Sequence, residues 1–288
     1  MSNLETKKPQ TVRDILDAPG IRKRFEDMLG KKSAGFLSSI ISAVSANKAL
    51  AECDQGSVVS AAAVAASLDL PINSSLGFAH IVPYKGKAQF QMGWKGYIQL
   101  AQRTGMYHKI EINDVLEGQI ISHNKFTGDF VFGEETSDKV VGFMLYFRLS
   151  NGFEKYFYMS KEACMAHGKK YSQSFGSQFG RWKLDEDAMC RKTVTKMGLS
   201  KFGILSIDMQ RAVETDQATI SESGDVESYP DAIDVESKYS VPEPIDSEVF
   251  GCEICGVQIT ADVNDDSMRV FGKSFCIEHQ QNNVNAPI

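Results

Sequence analysis

Residues 214–249, ETDQATISESGDVESYPDAIDVESKYSVPEPIDSEV, set the strongest limit on how this chain can fold. They carry 11 acidic residues against Lys238 alone, with three prolines and few large apolar side chains. Such a segment cannot bury enough apolar surface to offset the entropy lost on ordering it, so it reads as a disordered acidic linker. The 288 residues therefore divide into a body, 1–213, the linker, 214–249, and a small C-terminal part, 250–288. Charge divides at the same place. The body holds 28 Lys and Arg against 21 Asp and Glu, a net of +7, and the remainder holds 3 against 16, a net of −13. The whole-chain charge of −6 hides this asymmetry. A basic body suits a polyanion; a solubilising tail on an unrelated enzyme would give the same composition.

Within the body, residues 11–29 and 34–50 have helical apolar spacing, and an Ala-rich helix is predicted over 57–68. Pro83-Tyr84-Lys85-Gly86 reads as a turn, Ala88–Met92 as a short strand, and Trp94–Arg103 as a helix ended by Gly105. Residues 107–116 and 118–132 read as β-structure with a turn at Thr127-Gly128. Two Val-, Phe- and Tyr-rich runs, 139–150 and 153–159, flank Asn151-Gly152, a strong hairpin signal. Ser160 can cap a helix over 161–168, and Asp185-Glu186-Asp187 suit the positive end of a helix reaching about Met197. The expected class is α+β: N-terminal helices, then a central antiparallel sheet with a hairpin packed on helices, then the linker and a zinc-finger-like module. No apolar run approaches the roughly 18 residues of a membrane helix. The start, MSNLETKKPQ, lacks a signal-peptide core. These features, with six cysteines that do not make a secreted disulfide framework, predict a cytoplasmic protein without a membrane partner.

Two basic regions are candidates for binding. On the Trp94–Arg103 helix, Lys95, Gln99, Gln102 and Arg103 share one face, while Trp94, Ile98 and Ala101 share another beside Tyr97. Lys85 and Lys87 lie in the turn just before. An ordinary solvated helix face would look the same. The second region, Lys155–Lys201, has ten cations against four acids. It includes Lys169, Lys170, Arg181, Arg191, Lys192 and Lys196, interleaved with Tyr171, Phe175, Phe179 and Trp182. Cations neutralise phosphates and flat rings stack on unpaired bases, the two elements of single-strand binding. A mobile surface loop with core aromatics at its ends is the alternative.

Sequence signatures for catalysis are missing. The chain contains no GxxxxGK[ST], GxSxG or HExxH run, so no bound nucleotide is expected. His80, His108, His123 and His167 are unclustered in sequence. A nuclease would need converging carboxylates, and Asp114, Glu117 and Asp129 are the nearest candidates, with no specific spacing. The C-terminal part differs. Cys252-x-x-Cys255 and Cys276-x-x-His279 have the paired spacing of a tetrahedral zinc site, with Gly256 suited to the knuckle. Phe250, Val257, Val270, Phe271 and Phe275 could form a small core around a structural zinc ion. Four protein ligands leave no open position for catalysis. Redox cysteines or chance spacing are the alternatives.

The run FAHIVPYKGKAQFQMGWKGYIQLAQRTG, the loop SFGSQFGRW and the following DEDAMCRKTVTKMG resemble the RecT family of phage single-strand annealing proteins, distant relatives of the phage lambda Beta protein. The resemblance covers about residues 10–213 and rests on several motifs in order; Trp94 stands where the family has a tyrosine-type ring. It implies binding of single-stranded DNA and annealed duplex without ATP or a covalent catalytic step. It also implies assembly into rings or helical filaments, action beside a phage exonuclease, and contact with host single-strand binding protein through C-terminal regions. Lys192 matches the family's DNA-contacting helix lysine most closely; Lys196, Arg191, Lys95 and Arg103 follow. The acidic linker and Cys/His module depart from the short family pattern, which leaves their partner open. A nuclease, or an adaptor working through the tail and module, are the rival readings.

Overall fold

The computed structural model describes residues 11–178, 180–229 and 250–284. The chain divides into two compact units, Met1–Ile233 and Asp234–Ile288. In the first, the predicted helix over 11–29 is two helices. A capping box between Thr11 and Asp14 starts α1 (Val12–Leu16), and Pro19 opens α2 (Pro19–Leu29). Ala18, the residue before proline, is extended at ψ 131°, as the clash with the proline ring requires. Next come α3 (Ser33–Ala46) and α4 (Lys48–Ala51), which starts where the Asn47 side chain accepts from Leu50 N. Then α5 (Gln55–Ser67) is capped by Asp54 and buried all round from Ser57 to Ala66. Small residues on every face let neighbours approach from every side, so this is the helix around which the core is built.

Strands β1 (Ala79–Tyr84) and β2 (Lys87–Met92) form a hairpin whose two-residue turn, Lys85-Gly86, has φ of 49° and 80°. That is the primed turn that matches strand twist. Pro83 and Tyr84, expected in the turn, are instead the last residues of β1, with Pro83 opposite Ala88. Ala88, Phe90 and Met92 enter the core. Helix α6 (Trp94–Arg103) follows at once, and it buries Tyr97, Leu100 and Ala101. The tight corner depends on Gly93, where a Cβ would lie 1.9 Å from the Gly77 carbonyl oxygen. Gly93→Ala is thus expected to displace backbone and cost roughly 1–3 kcal/mol or more, seen as a lower urea midpoint with an unchanged slope.

The middle of the chain is antiparallel. It comprises β3 (Tyr107–Leu116), a separate small hairpin of β4 (Ile120–His123) and β5 (Phe130–Phe132), then β6 (Val140–Leu149) and β7 (Glu154–Ser160). The larger sheet has the order β3-β6-β7, and Gly152, at φ 90°, turns β6 into β7. Phe143, Leu145 and Phe147 are fully buried. Ser160 caps α7 (Lys161–Tyr171), and Asp185 caps α9 (Glu186–Phe202) after the single turn α8 (Arg181–Leu184). Helix α9 runs past Met197 because its apolar pattern continues to Leu199; Gly198 is kept within it by close packing, a Cβ there coming within 2.6 Å of Leu145 and 3.1 Å of Phe157, and the helix ends at Gly203.

The boundary drawn at 213 falls inside α10 (Ile207–Thr215), and the body continues through β8 (Thr219–Ile220) and β9 (Val226–Ser228). Gln217 N donates to the Phe90 carbonyl, and Ala218, Thr219 and Ile220 are buried. The acidic composition masked a segment that follows the edge of the core. The rest of the expected linker, 230–249, lies outside the described residues.

The second unit has a short hairpin, β10 (Phe250–Gly251) with β11 (Gln258–Ile259), followed by α11 (Ala261–Phe271) and α12 (Ile277–Val284). Gly272 ends α11 in the left-handed region at φ 65°. Of the five apolar residues expected in its core, Phe275 is buried, while Val257 and Val270 are more than half exposed. Polar contacts fill the interior. Ser267 Oγ donates to the Lys273 carbonyl and accepts from Phe275 N, and Ser274 Oγ donates to Asn264 Oδ1.

Candidate nucleic-acid interface and metal centre

A groove of about 1320 Å³ crosses the first unit. Its floor is the β1–β2 hairpin, one wall is α3, and the other is built from Gln173, Ser174, Ser177, Gly180, Arg181 and Trp182 and the start of α9. Strand alternation sends Gln89 and Gln91 to the floor, opposite Val82 and His80. Lys95, Arg181 and Lys192 line it, with Asp185 as their one acidic counterpart among the described lining residues. The Asp185 carboxylate is already occupied as the cap of α9, accepting from Ala188 N. Trp94 and Tyr84 contribute half-buried rings, each with a neighbouring ammonium over it: Lys95 at 5.7 Å and Lys85 at 5.2 Å. Lys85 Nζ and Tyr84 Oη both donate to Gln173 Oε1, which ties the hairpin to the opposite wall. Burial, and then the charges of Lys192 and Arg181, push the His80 pKa down to about 4, so the floor imidazole is neutral at pH 7.

Beneath the groove, Asp216 holds two of the sequence-predicted lysines. Its carboxylate is 1 % exposed and accepts from Lys192 Nζ at 2.8 Å, Lys196 Nζ at 2.8 Å, Tyr97 Oη at 3.2 Å and Met92 N at 3.0 Å. Burial pushes this carboxyl's pKa up, but the two ammonium groups outweigh it and leave the pKa well below the usual carboxylate range. Two lysines thus share one carboxylate, a formal charge of +1 for the three groups together. Lys192 and Lys196 are one turn apart on α9, which lets both reach the same acid.

The other predicted residues are placed differently. Arg103 donates to the carbonyls of Leu68 and Asp69, closing the end of α5. Arg191 makes a bidentate pair with Asp114, at 2.8 and 2.6 Å, and Lys87 pairs with Glu227 at 2.8 Å. Gln99 has a buried Oε1. The Lys95–Arg103 face is therefore divided among a groove, a buried amide and a helix cap. Lys169 and Lys170 are exposed on the last turn of α7, apart from the groove lining. Trp182 lines the groove but is 5 % exposed, packed on Phe175 and on Gly168, where a Cβ would come within 2.6 Å of its ring. It anchors the wall. Sequence reasoning missed Asp216, Gln89 and Tyr84. The alternation in KAQFQM and the Tyr-Lys pair at a turn were usable signals for the last two; nothing marks Asp216 among the acids around it.

In the second unit, the donor atoms of Cys252, Cys255, Cys276 and His279 all lie within 4.8 Å of one another. Cys276 Sγ is 3.1 Å from His279 Nδ1 and 3.8 Å from Cys255 Sγ. The knuckle is set by Gly256, at φ 71°, whose N–H donates to the Cys252 carbonyl. Cys276 and His279 sit across the first turn of α12. Three thiols and an imidazole converging in this way fit a tetrahedral metal with soft ligands. Among the described residues no helix is long and apolar enough to cross a membrane.

The α+β body and its basic groove belong to a known class: the chain is a member of the RecT family, whose model matches residues 34–231. That match takes in the whole groove lining and Asp216, and it ends before the Cys/His module. The chain is 45 % identical to the uncharacterized protein YqaK of Bacillus subtilis (strain 168) over 240 residues, which are 83 % of this chain and 80 % of that protein. It is 28 % identical to Protein RecT of Escherichia coli (strain K12) over 180 residues, 59 % of this chain and 65 % of that protein.

Proposed function

We propose that the body binds single-stranded DNA in the groove and anneals complementary strands, without nucleotide hydrolysis or a covalent step, in phage-type homologous recombination in the bacterial cytoplasm. The observation that carries this reading is the convergence of Lys95, Arg181 and Lys192 with the rings of Trp94 and Tyr84 around one groove. The cations hold phosphates, and the rings offer sequence-tolerant stacking. Neutralised phosphates repel a second strand less, and an aligned first strand lowers the entropy cost of the first base pairs. Side-by-side copies in a ring or filament would make the groove continuous. Of the three carboxylates nearest to a nuclease set, Asp114 pairs with Arg191 and Glu117 with Lys139, which leaves Asp129.

The roles differ within the predicted set. Lys95, Arg181 and Lys192 are assigned to the phosphates, with Lys85 at the rim. Lys196 acts through Asp216. Arg103, Arg191 and Lys87 are assigned to the fold, and Lys169 and Lys170 to an outer path for DNA. Lys95→Ala and Arg181→Ala should each weaken oligonucleotide binding uniformly across sequences and lower the salt slope by about 0.7, the single-strand value for one phosphate contact. Arg103→Ala should leave that slope unchanged and lower the thermal midpoint instead. Fluorescence anisotropy between low and moderate salt checks both; unchanged slopes for Lys95→Ala and Arg181→Ala would overturn the groove assignment. The Cys/His module is assigned one structural zinc ion and a docking role toward a phage exonuclease or the host single-strand binding protein.

A further inference from the structure

The β4–β5 hairpin is apolar on both sides. Phe130 and Phe132 face the larger sheet, their ring centres 5.8 and 5.4 Å from that of Tyr156. Alternation turns Val131 the other way, and the register shift between Ile120 and Ser122 leaves Ile121 exposed as well. Phe126, in the hairpin loop, is 101 % exposed. A two-stranded hairpin is marginal by itself, and large apolar side chains held in water add nothing to it. These three form an apolar ridge of the kind that marks an interaction surface. A second such surface lies at the end of the β3-β6-β7 sheet. Phe202, Leu205 and Ile207 line the α9–α10 junction, and Met106 and Phe153 stand at the ends of neighbouring strands; all five are exposed, Ile207 by 84 %. Hydrogen bonds join them into one patch: Ile204 N donates to Tyr107 Oη at 2.7 Å, and Ser150 N, in the turn before Phe153, donates to the Met106 carbonyl.

Ridge and patch adjoin. A Cβ on Gly128, in the hairpin loop, would lie 2.9 Å from Lys155 Nζ, and that ammonium lies 4.6 Å from the centre of the Phe202 ring. Their charges are opposite. Residues 119–138 hold Asp129, Glu134, Glu135 and Asp138 against Lys125 alone, whereas Lys155 and Lys201 flank the patch with Asp208. Glu154 is taken up by Tyr146, whose hydroxyl donates to it. We propose that the ridge of one copy of this chain seats on the patch of a second copy. Adjoining surfaces of opposite charge are self-complementary about a two-fold axis: each ridge meets the other copy's patch, and both are buried in one contact. The acids around each ridge then face the lysines around the other patch, which sets the register and disfavours ridge against ridge. Such a contact closes on itself, so it joins copies in pairs and leaves lengthwise assembly to another surface. It requires no DNA.

Sedimentation velocity of the full chain without DNA reads the contact. Wild type at micromolar concentration should run as a dimer or as even multiples of the chain. Ile121→Asp with Phe126→Asp should halve that mass, and so should Leu205→Asp with Ile207→Asp, each pair raising the dissociation constant at least about tenfold. Mixed one to one, the two variants should dimerise more tightly than either does alone, because one intact ridge and one intact patch can still meet. Both should bind a short oligonucleotide as wild type does, which separates loss of pairing from loss of the groove. Monomeric wild type, an unchanged mass in either variant, or no gain on mixing overturns the proposal. The four side chains are exposed, so the melting temperature should not fall. Where an Asp variant does not fold, Ser at the same positions takes its place, and the wild-type mass decides regardless.

Discussion

Replacing Asp216 by alanine is expected to lower the stability of the body by about 3–5 kcal/mol, the range for breaking a buried ion pair from one side. Lys192 and Lys196 would then lose the carboxylate that both ammonium groups meet, at side chains only 10 % and 29 % exposed, and the buried Tyr97 hydroxyl and Met92 N–H would lose an acceptor. Urea unfolding at neutral pH measures the loss, and a change under about 1 kcal/mol would show that the lysines find water or another partner. The pH dependence has a definite sign. Folding holds this carboxyl below its ordinary pKa of 3.8, so the stabilisation is fully present above that value and is lost as pH falls through it toward the folded pKa. The gap between wild type and Asp216→Asn should be flat from about pH 5 to 8 and close below about pH 4.

Metal removal should have an effect of comparable size confined to the second unit. Its apolar interior is little more than Phe275 with half-buried Phe250 and Phe271, and its ligands come from two separate turns, at 252–255 and 276–279. A structural zinc ion supplies about 10–16 kcal/mol to such small modules near pH 7, far more than this core can. Protein stripped with a chelator should lose the amide dispersion of 250–284 in NMR spectra while signals from the body persist, and Cys255→Ser should do the same. Metal analysis should find about one zinc per chain. Retention of those signals in verified metal-free protein would remove the proposal that zinc organises the module.

What could be read in the sequence was local and periodic. The Trp94–Arg103 helix, the β6–β7 hairpin and the Cys/His pairs each announce themselves through spacing within a few residues. Charge was legible only as a sum. Arg103, Arg191 and Lys87 carry the same formal charge as Lys95, yet each meets an oxygen brought by distant chain: Leu68, Asp114 and Glu227. Pairing of that kind is decided by topology, which period and propensity do not contain. Asp216 is the extreme case. By composition it belongs to an acidic tail; in the fold it is the most deeply buried carboxylate described.

The position of Asp216 decides where this protein can be cut. Ending the chain at 213, the point that composition suggests, would remove the counterion of Lys192 and Lys196 together with β8 and β9, so a short form of that length would fail for reasons unrelated to a tail. The first permissible joint lies beyond Tyr229, which follows β9 and whose hydroxyl donates to the Glu214 carbonyl. Grafts, fusions and exchanges of the acidic segment and its module between relatives should be joined there, with residues 214–229 travelling as part of the body.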